Sequence, residues 1–115
     1  MQRIKDNYAY LDLLAKCTKK DKLHNIIRNA DKELILAIGE CILNCLNGNI
    51  NIDETTKKKL SRHKHELREL ARSKKKSSIK TKKQILVQSG GSILPILLPI
   101  VTQALSSLLF SGNKS

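Results

Sequence analysis

The chain has 115 residues, with 22 Lys or Arg against 10 Asp or Glu, and a formal net charge of +12. This length provides for one small domain with extensions, and an aromatic content of 3% excludes the base-stacking surfaces of RRM and OB folds. Three cysteines, an odd number, form no disulfide framework and fit a reducing compartment. The polar first residues lack the apolar core of a signal peptide, so we expect no secretion.

The positive charge is concentrated in one segment. Residues 57–83 contain 13 Lys or Arg against two acidic side chains, whereas residues 1–56 contain eight basic and eight acidic ones. After residue 83 the only charged side chain is Lys114. A polyanion is the simplest partner for such a segment.

The first half of the chain predicts an all-α fold, a small bundle of about four helices, because its apolar residues recur at helical spacing. That spacing predicts a first helix over about residues 3–16. Thr18 followed by Asp21 resembles a capping box and predicts the start of a short second helix.

The third predicted helix, from Lys32 to about Leu46, is the most apolar of these and is expected to form the centre of the core. Asp31 is its expected N-cap, and Glu33 lies in the first turn, where the helix dipole favours an anion. Gly39 inside this helix indicates a close helix crossing.

The fourth predicted helix, from about Glu54 to Ser73, is strongly basic and has Asp53 as its expected N-cap. Its inner stripe consists of Leu60, His63, Leu67, Leu70 and Ala71. Its basic flank, next to that stripe, consists of Lys57, Lys64, Arg68 and Arg72.

The segment from Ser73 to Lys83 has no apolar stripe, and we expect it to be disordered until it meets a partner. A solvated linker is the alternative, although solvation alone does not require this concentration of one sign of charge.

Residues 93–110 are apolar and uncharged. Pro95 and Pro99 predict that no regular helix forms over residues 93–98, and that Pro99 opens a helix running to about Phe110. Such a helix of about a dozen residues is shorter than the ~20 that cross a bilayer. We expect it to lie in a membrane interface, to insert as a re-entrant piece, to self-associate or to dock on another protein.

The sequence contains no pattern that favours catalysis or a cofactor. Cys41 and Cys45, with His63 or His65, have the spacing of zinc ligands, but both cysteines fall among apolar helix positions, where free Cys behaves as a small hydrophobe. A Gly-rich phosphate loop, paired carboxylates and a Ser-His-Asp set in a supporting context are missing. We therefore expect a non-enzyme with no cofactor and no metal.

A pattern after the basic segment resembles a viral family. The string Gly90-Gly91-Ser92-Ile93-Leu94-Pro95-Ile96-Leu97-Leu98-Pro99-Ile100 resembles the C-terminal half of adenovirus core protein X, the precursor of the mu peptide. That family has a basic DNA-condensing segment, then Gly-Gly, then an apolar tail with Leu-Pro pairs. A longer pattern, over residues 34–49 and 60–71, is similar to the X-like proteins of Polinton or adintovirus-type elements.

The resemblance implies a virion core component that compacts double-stranded DNA beneath the capsid, in the virion core and the host nucleus. Proteases of the adenovirus type cut at Gly-Gly sites, so Gly91–Ser92 is a candidate scissile bond and a maturation protease an expected partner. The residues that match the DNA-binding segment of the family are Lys57, Lys58, Lys59, Arg62, Lys64, Arg68, Arg72, Lys74, Lys75, Lys76, Lys80, Lys82 and Lys83.

The sequence thus predicts a helical domain over residues 1–73, a basic flexible arm with a Gly-Gly hinge over 74–91 and an apolar tail over 92–115. The predicted function is sequence-independent DNA binding and condensation by phosphate neutralisation. The tail residues expected to contact a capsid protein or a membrane are Ile93, Leu94, Pro95, Ile96, Leu97, Leu98 and Pro99.

Two other functions fit the same pattern. A membrane-active protein would attract anionic lipid with its basic segment and insert residues 93–110. A scaffold would dock a partner protein through the tail, with the charge serving only solubility.

Overall fold

The computed structural model describes residues 2–73 and 78–111, without the side chains of residues 90, 91 and 107–111. All regular secondary structure in these ranges is helical, which confirms the predicted all-α class. The helices are α1 (Gln2–Asp6), α2 (Tyr8–Ala15), α3 (Lys20–Arg28), α4 (Lys32–Leu46), α5 (Glu54–Ser61), α6 (Lys64–Ala71) and α7 (Ile79–Ser111).

The first predicted helix is divided into α1 and α2 at Asn7. The Asn7 side chain donates a 2.8 Å hydrogen bond to the main-chain carbonyl of Arg3, and such local bonds compete with the helical pattern. The division keeps Ile4, Leu11 and Leu14 in the core.

The start of α3 differs from the prediction. Lys19, in an extended conformation, precedes the helix, and no side chain caps it. The predicted capping box of Thr18 and Asp21 is therefore wrong, and α3 is held by the burial of Leu23 and Ile27.

Helix α4 has the predicted limits and the predicted cap. The Asp31 side chain accepts a 2.9 Å hydrogen bond from the Leu34 amide. Every residue from Leu34 to Gly39 is buried, so α4 is enclosed on all sides along this stretch. A Cβ atom on Gly39 would lie 2.6 Å from the carbonyl oxygen of Leu70, which confirms the predicted close crossing.

The fourth predicted helix is divided into α5 and α6, with Arg62 and His63 in the turn between them. At the end of α5 the Ser61 hydroxyl donates a 2.7 Å hydrogen bond to the Lys58 carbonyl. Leu60 anchors α5 in the core, and two leucines, at positions 67 and 70, anchor α6.

The segment predicted to be disordered is helical from Ile79 onward, whereas residues 74–77 lie outside the described residues. The Ser78 hydroxyl accepts a 3.1 Å hydrogen bond from the Thr81 amide and so caps the first turn of α7. Ile79, Lys82 and Leu86 have the i, i+3, i+7 spacing of an inner stripe. The aliphatic stem of Lys82 completes that stripe. A lysine that is counted only as a positive charge is not expected at such an inner position.

Helix α7 also continues through Pro95 and Pro99, where no regular helix was predicted. Both prolines are exposed, so a carbonyl that lacks its helical donor can bond to water. The helix bends by 103° between its limbs, Ile79–Ser89 and Ser92–Ser106. The bend falls at Gly90-Gly91, where the sequence predicts a hinge.

The predicted tail lies at the centre of the core. Helix α7 contacts α2, α3, α4, α5 and α6. Six side chains of its second limb are no more than 1% exposed: Ile93, Leu94, Leu97, Leu98, Val101 and Leu105. One hydrophobic core cluster contains buried residues from all three predicted segments, such as Ile38 of the domain, Leu86 of the arm and Leu98 of the tail.

Most of the tail residues that were expected to contact a capsid protein or a membrane are thus buried in the core of the chain itself. Ile93, Leu94, Leu97 and Leu98 are buried, Ile96 is half-buried, and only the two prolines are exposed. Among the described residues no single helix is long and apolar enough to cross a membrane. The two limbs of α7 meet that requirement only when taken together across their bend.

Candidate nucleic-acid interface

Helix α5 presents three consecutive lysines, residues 57–59, to solvent. Asp53 caps the helix by accepting a 2.8 Å hydrogen bond from the Thr56 amide, and hydrogen bonding to Thr56 lowers the pKa of the Asp53 carboxyl. Leu60 is buried, and this one anchor sets the rotation of the helix that leaves the lysines outside.

Helix α6 extends this positive region. Burial of Leu67 and Leu70 leaves Lys64 and Arg68 exposed, one helical turn apart. Arg62 in the turn before α6 and Arg72 directly after it are also exposed. We call the following set the basic surface: Lys57, Lys58, Lys59, Arg62, Lys64, Arg68 and Arg72.

Carboxylates neutralise only a small part of the basic surface. Lys57 pairs with Glu54 at 3.6 Å, and Arg72 pairs with Glu69 at 3.4 Å. Each pair joins residues three positions apart at the surface, a type of contact worth little in water. The other five cations make no ion pair with any residue that the structure describes.

The chemistry of the basic surface suits phosphates better than bases. Its ammonium and guanidinium groups are exposed point charges that need no shaped pocket to neutralise a phosphate. Residues 54–72 contain no Phe, Tyr or Trp on which a base could stack.

Two further predicted residues, Lys80 and Lys83, lie on the first limb of α7. Lys80 is exposed, and Lys83 is half-buried. The Nζ atom of Lys83 donates a 3.1 Å hydrogen bond to the carbonyl of Arg28, the last residue of α3. Arg28 shares a shallow cavity with both lysines. Arg28 was not predicted from the sequence, where its only signal is that of a basic residue in the last turn of a helix.

Lys82, which was also predicted to bind DNA, does not lie on the basic surface. This residue is 1% exposed, and its Nζ atom donates hydrogen bonds to the carbonyls of Leu70, at 2.9 Å, and of Arg72. Burial lowers the pKa of Lys82, and the nearby Glu69 opposes that shift. Lys82 is held inside because it donates to one carbonyl in the last turn of α6 and to another just after the helix, where helical donors are lacking.

The predicted residues Lys74, Lys75 and Lys76 lie outside the described residues. Lys82 nevertheless ties the residues on both sides of this segment together, because it bonds to Arg72 and lies in the first turns of α7.

The cysteines that were weighed as zinc ligands lie on α4. Burial raises the pKa of the Cys41 thiol to about 12 and that of Cys45 to about 11. Without a metal, thiols with such values are protonated at neutral pH, so zinc, which binds the thiolate, would have to displace both protons. In the described ranges no three His, Cys, Asp or Glu side chains are grouped to hold a metal ion.

The candidate scissile bond, Gly91–Ser92, lies in the bend of α7, where the backbone on both sides is helical. Ser92 is exposed. Cleavage of this bond stays a prediction.

Comparison of the chain with protein-family models, with curated proteins and with solved structures found no match.

Proposed function

We propose that this protein binds and condenses double-stranded DNA without sequence preference, by neutralising phosphates with its basic surface. The observation that carries the proposal is the exposure of seven cationic side chains on two short adjacent helices and the residues next to them, with carboxylate partners for only two of the seven. The surface offers no aromatic side chain on which a base could stack, so its affinity would come from charge.

Binding would release the counterions that surround the duplex. Each phosphate contact contributes to a linear fall of log K with log salt, with a slope of about −0.9 per contact for B-DNA. Condensation further requires one protein to neutralise phosphates of two duplex segments. Arg28 and Lys80, exposed on α3 and α7, supply cations outside α5 and α6 for that role.

We further propose, from the resemblance to adenovirus core protein X, that the DNA in question is a viral or virus-like genome packaged in a virion core. For packaging a whole genome, sequence-independent affinity is sufficient. A maturation protease acting at Gly91–Ser92 belongs to the same proposal.

The experiment is a salt titration of binding to a random-sequence duplex. It compares the full chain with the double variant Arg62→Gln/Arg68→Gln, which removes two unpaired cations from the basic surface. We expect the magnitude of the salt slope to fall by about 2, one for each lost phosphate contact. The matched control is Lys20→Gln/Lys22→Gln, which removes the same charge from exposed positions on α3.

The two variants distinguish DNA binding by the basic surface from a general effect of the net charge of the protein. Equal slopes for both variants would mean that any surface cation contributes, and would refute the assignment to α5 and α6. No binding by the full chain near physiological salt would refute the nucleic-acid function itself.

The membrane-active alternative has a structural cost. The apolar side chains that would insert, such as Leu94, Leu97 and Leu98, are buried in the core. Insertion would require α7 to leave its contacts with five other helices. We therefore do not adopt this alternative, and the same cost applies to docking of the tail on a capsid protein.

A further inference from the structure

A half-open cavity of about 260 Å³ lies between the end of α4, both basic helices and the second limb of α7. Its inner wall is apolar, with buried side chains from each of these helices. Those that define the wall are Ile42, Leu60, Leu67 and Leu97.

The mouth of this cavity is positively charged. Lys57, Lys64 and Arg68 line it and are exposed, and no Asp or Glu is among its described lining residues. Lys57 has a weak exposed pair with Glu54, at 3.6 Å. Lys64 and Arg68 have no ion pair within the part of the chain that the structure describes, so two cations at the mouth are free for a ligand.

An apolar interior with a cationic mouth is complementary to a molecule with an apolar chain and an anionic head. The cavity volume lies just below the range of roughly 300–1,000 Å³ that is usual for small-molecule sites. A single unbranched chain fits such a volume, whereas a lipid with two acyl chains does not.

We propose that this cavity binds a free medium-chain carboxylate, a fatty-acid anion of about ten carbons, with its chain against the leucines and its head between Lys64 and Arg68. Burial of the chain supplies most of the binding free energy. The two cations select the anion over a neutral or cationic amphiphile.

This inference does not depend on DNA binding, although the two sites share Lys57, Lys64 and Arg68. The ligand is measured in the absence of nucleic acid, so failure of one proposal leaves the other standing. If both hold, a bound carboxylate would neutralise part of the basic surface.

The experiment is isothermal titration of the full chain with decanoate, below its micelle concentration, and with decyltrimethylammonium, which has the same chain and the opposite charge. We expect one decanoate to bind per chain, and the cation to bind at least about tenfold more weakly. Equal affinities for the two probes, or no binding of decanoate, would overturn the proposal.

A pair of variants tests the cationic mouth. Lys64→Gln/Arg68→Gln should weaken the binding of decanoate about tenfold, because both charge contacts to the carboxylate are removed. Lys20→Gln/Lys22→Gln makes the same charge change on α3, away from the cavity, and should retain the wild-type affinity. An equal loss in both variants would refute binding at this mouth.

Thiol modification locates the ligand within the fold. Cys45 lines the cavity, whereas Cys17 lies elsewhere. Decanoate should slow alkylation of Cys45 and leave Cys17 unaffected, and equal effects on both would refute the site.

Binding to phosphatidylglycerol vesicles without any binding of free decanoate would also overturn the proposal, since it would indicate a membrane surface instead of a single-chain ligand.

Discussion

The Nζ atom of Lys82 donates a 2.9 Å hydrogen bond to the carbonyl oxygen of Leu70, and Gly39 packs against the same carbonyl. Three helices, α4, α6 and α7, meet at this one oxygen. A side chain on Gly39 would displace the carbonyl, and the loss of Lys82 would leave it without its donor. This contact joins the basic surface to the start of the core helix α7.

Replacing Lys82 by Met should lower the free energy of unfolding at pH 7 by about 1–2 kcal/mol. The reason is that the buried carbonyl of Leu70 loses its hydrogen-bond donor. This loss outweighs the gain from no longer burying a charged group. Urea denaturation measures the change. The matched control is Lys80→Met on the same turn of α7, which is exposed and should change stability by less than about 0.5 kcal/mol. Equal losses in the two variants would contradict the capping role.

The same variant tests a pH dependence. Because burial lowers the pKa of Lys82, the folded state binds fewer protons than the unfolded chain between that lowered pKa and the ordinary value of 10.5. The contribution of Lys82 to stability is constant below this window and rises with pH through it. The stability difference between wild type and Lys82→Met should therefore grow as the pH approaches 10.5. A difference that stays constant up to that pH would show that Lys82 titrates normally.

Replacing Gly39 by Ala should destabilise the protein by about 1–2 kcal/mol, although Ala is the better helix former. The new Cβ atom would lie 2.6 Å from the Leu70 carbonyl oxygen, a main-chain atom that cannot rotate away. Thermal or urea unfolding is the measurement. A gain of about 1 kcal/mol, as at an exposed helical glycine, would contradict the close crossing.

A chain that ends at Gly91 should not fold. It lacks the second limb of α7 and with it the buried residues that this limb contributes, such as Leu94, Leu98 and Val101. Each fully buried aliphatic side chain contributes about 1.5–3 kcal/mol, and a whole domain has only 5–15 kcal/mol of net stability. Circular dichroism and limited proteolysis provide the readout. A cooperative unfolding transition in this truncated chain would show that the limb is an appendage.

The three thiols should react with a thiol reagent at pH 8 in the order Cys17, Cys45, Cys41. Cys17 and Cys45 are half-buried and Cys41 is buried, and burial raises the pKa of Cys45 to about 11 and of Cys41 to about 12. The reactive species is the thiolate, which is scarce at pH 8 for both. Mass spectrometry of a labelling time course gives the order. Rapid labelling of Cys41 in the native protein would contradict its burial.

Much of the candidate site follows from local sequence. The exposed cations on α5 and α6 were predicted because the apolar residues that rotate these helices, Leu60, Leu67 and Leu70, occur at helical spacing beside them. The turn at Arg62 and His63 was not predicted, and it matters because Lys57 and Lys64 line one cavity from two different helices. Arg28 was missed because its proximity to Lys83 is a contact across 55 residues of sequence.

The sequence by itself determined the helical class, the limits and cap of α4, and the concentration of positive charge, since each depends on residues within a few turns of one another. Only the tertiary structure decided the places of Lys82 and of the apolar stretch after Gly91. A lysine with a long apolar stem can lie outside or inside, and the outcome depends on whether a distant helix end offers carbonyls to its ammonium. An apolar helix can be buried by a membrane, a partner or its own chain, and here the other helices enclose it.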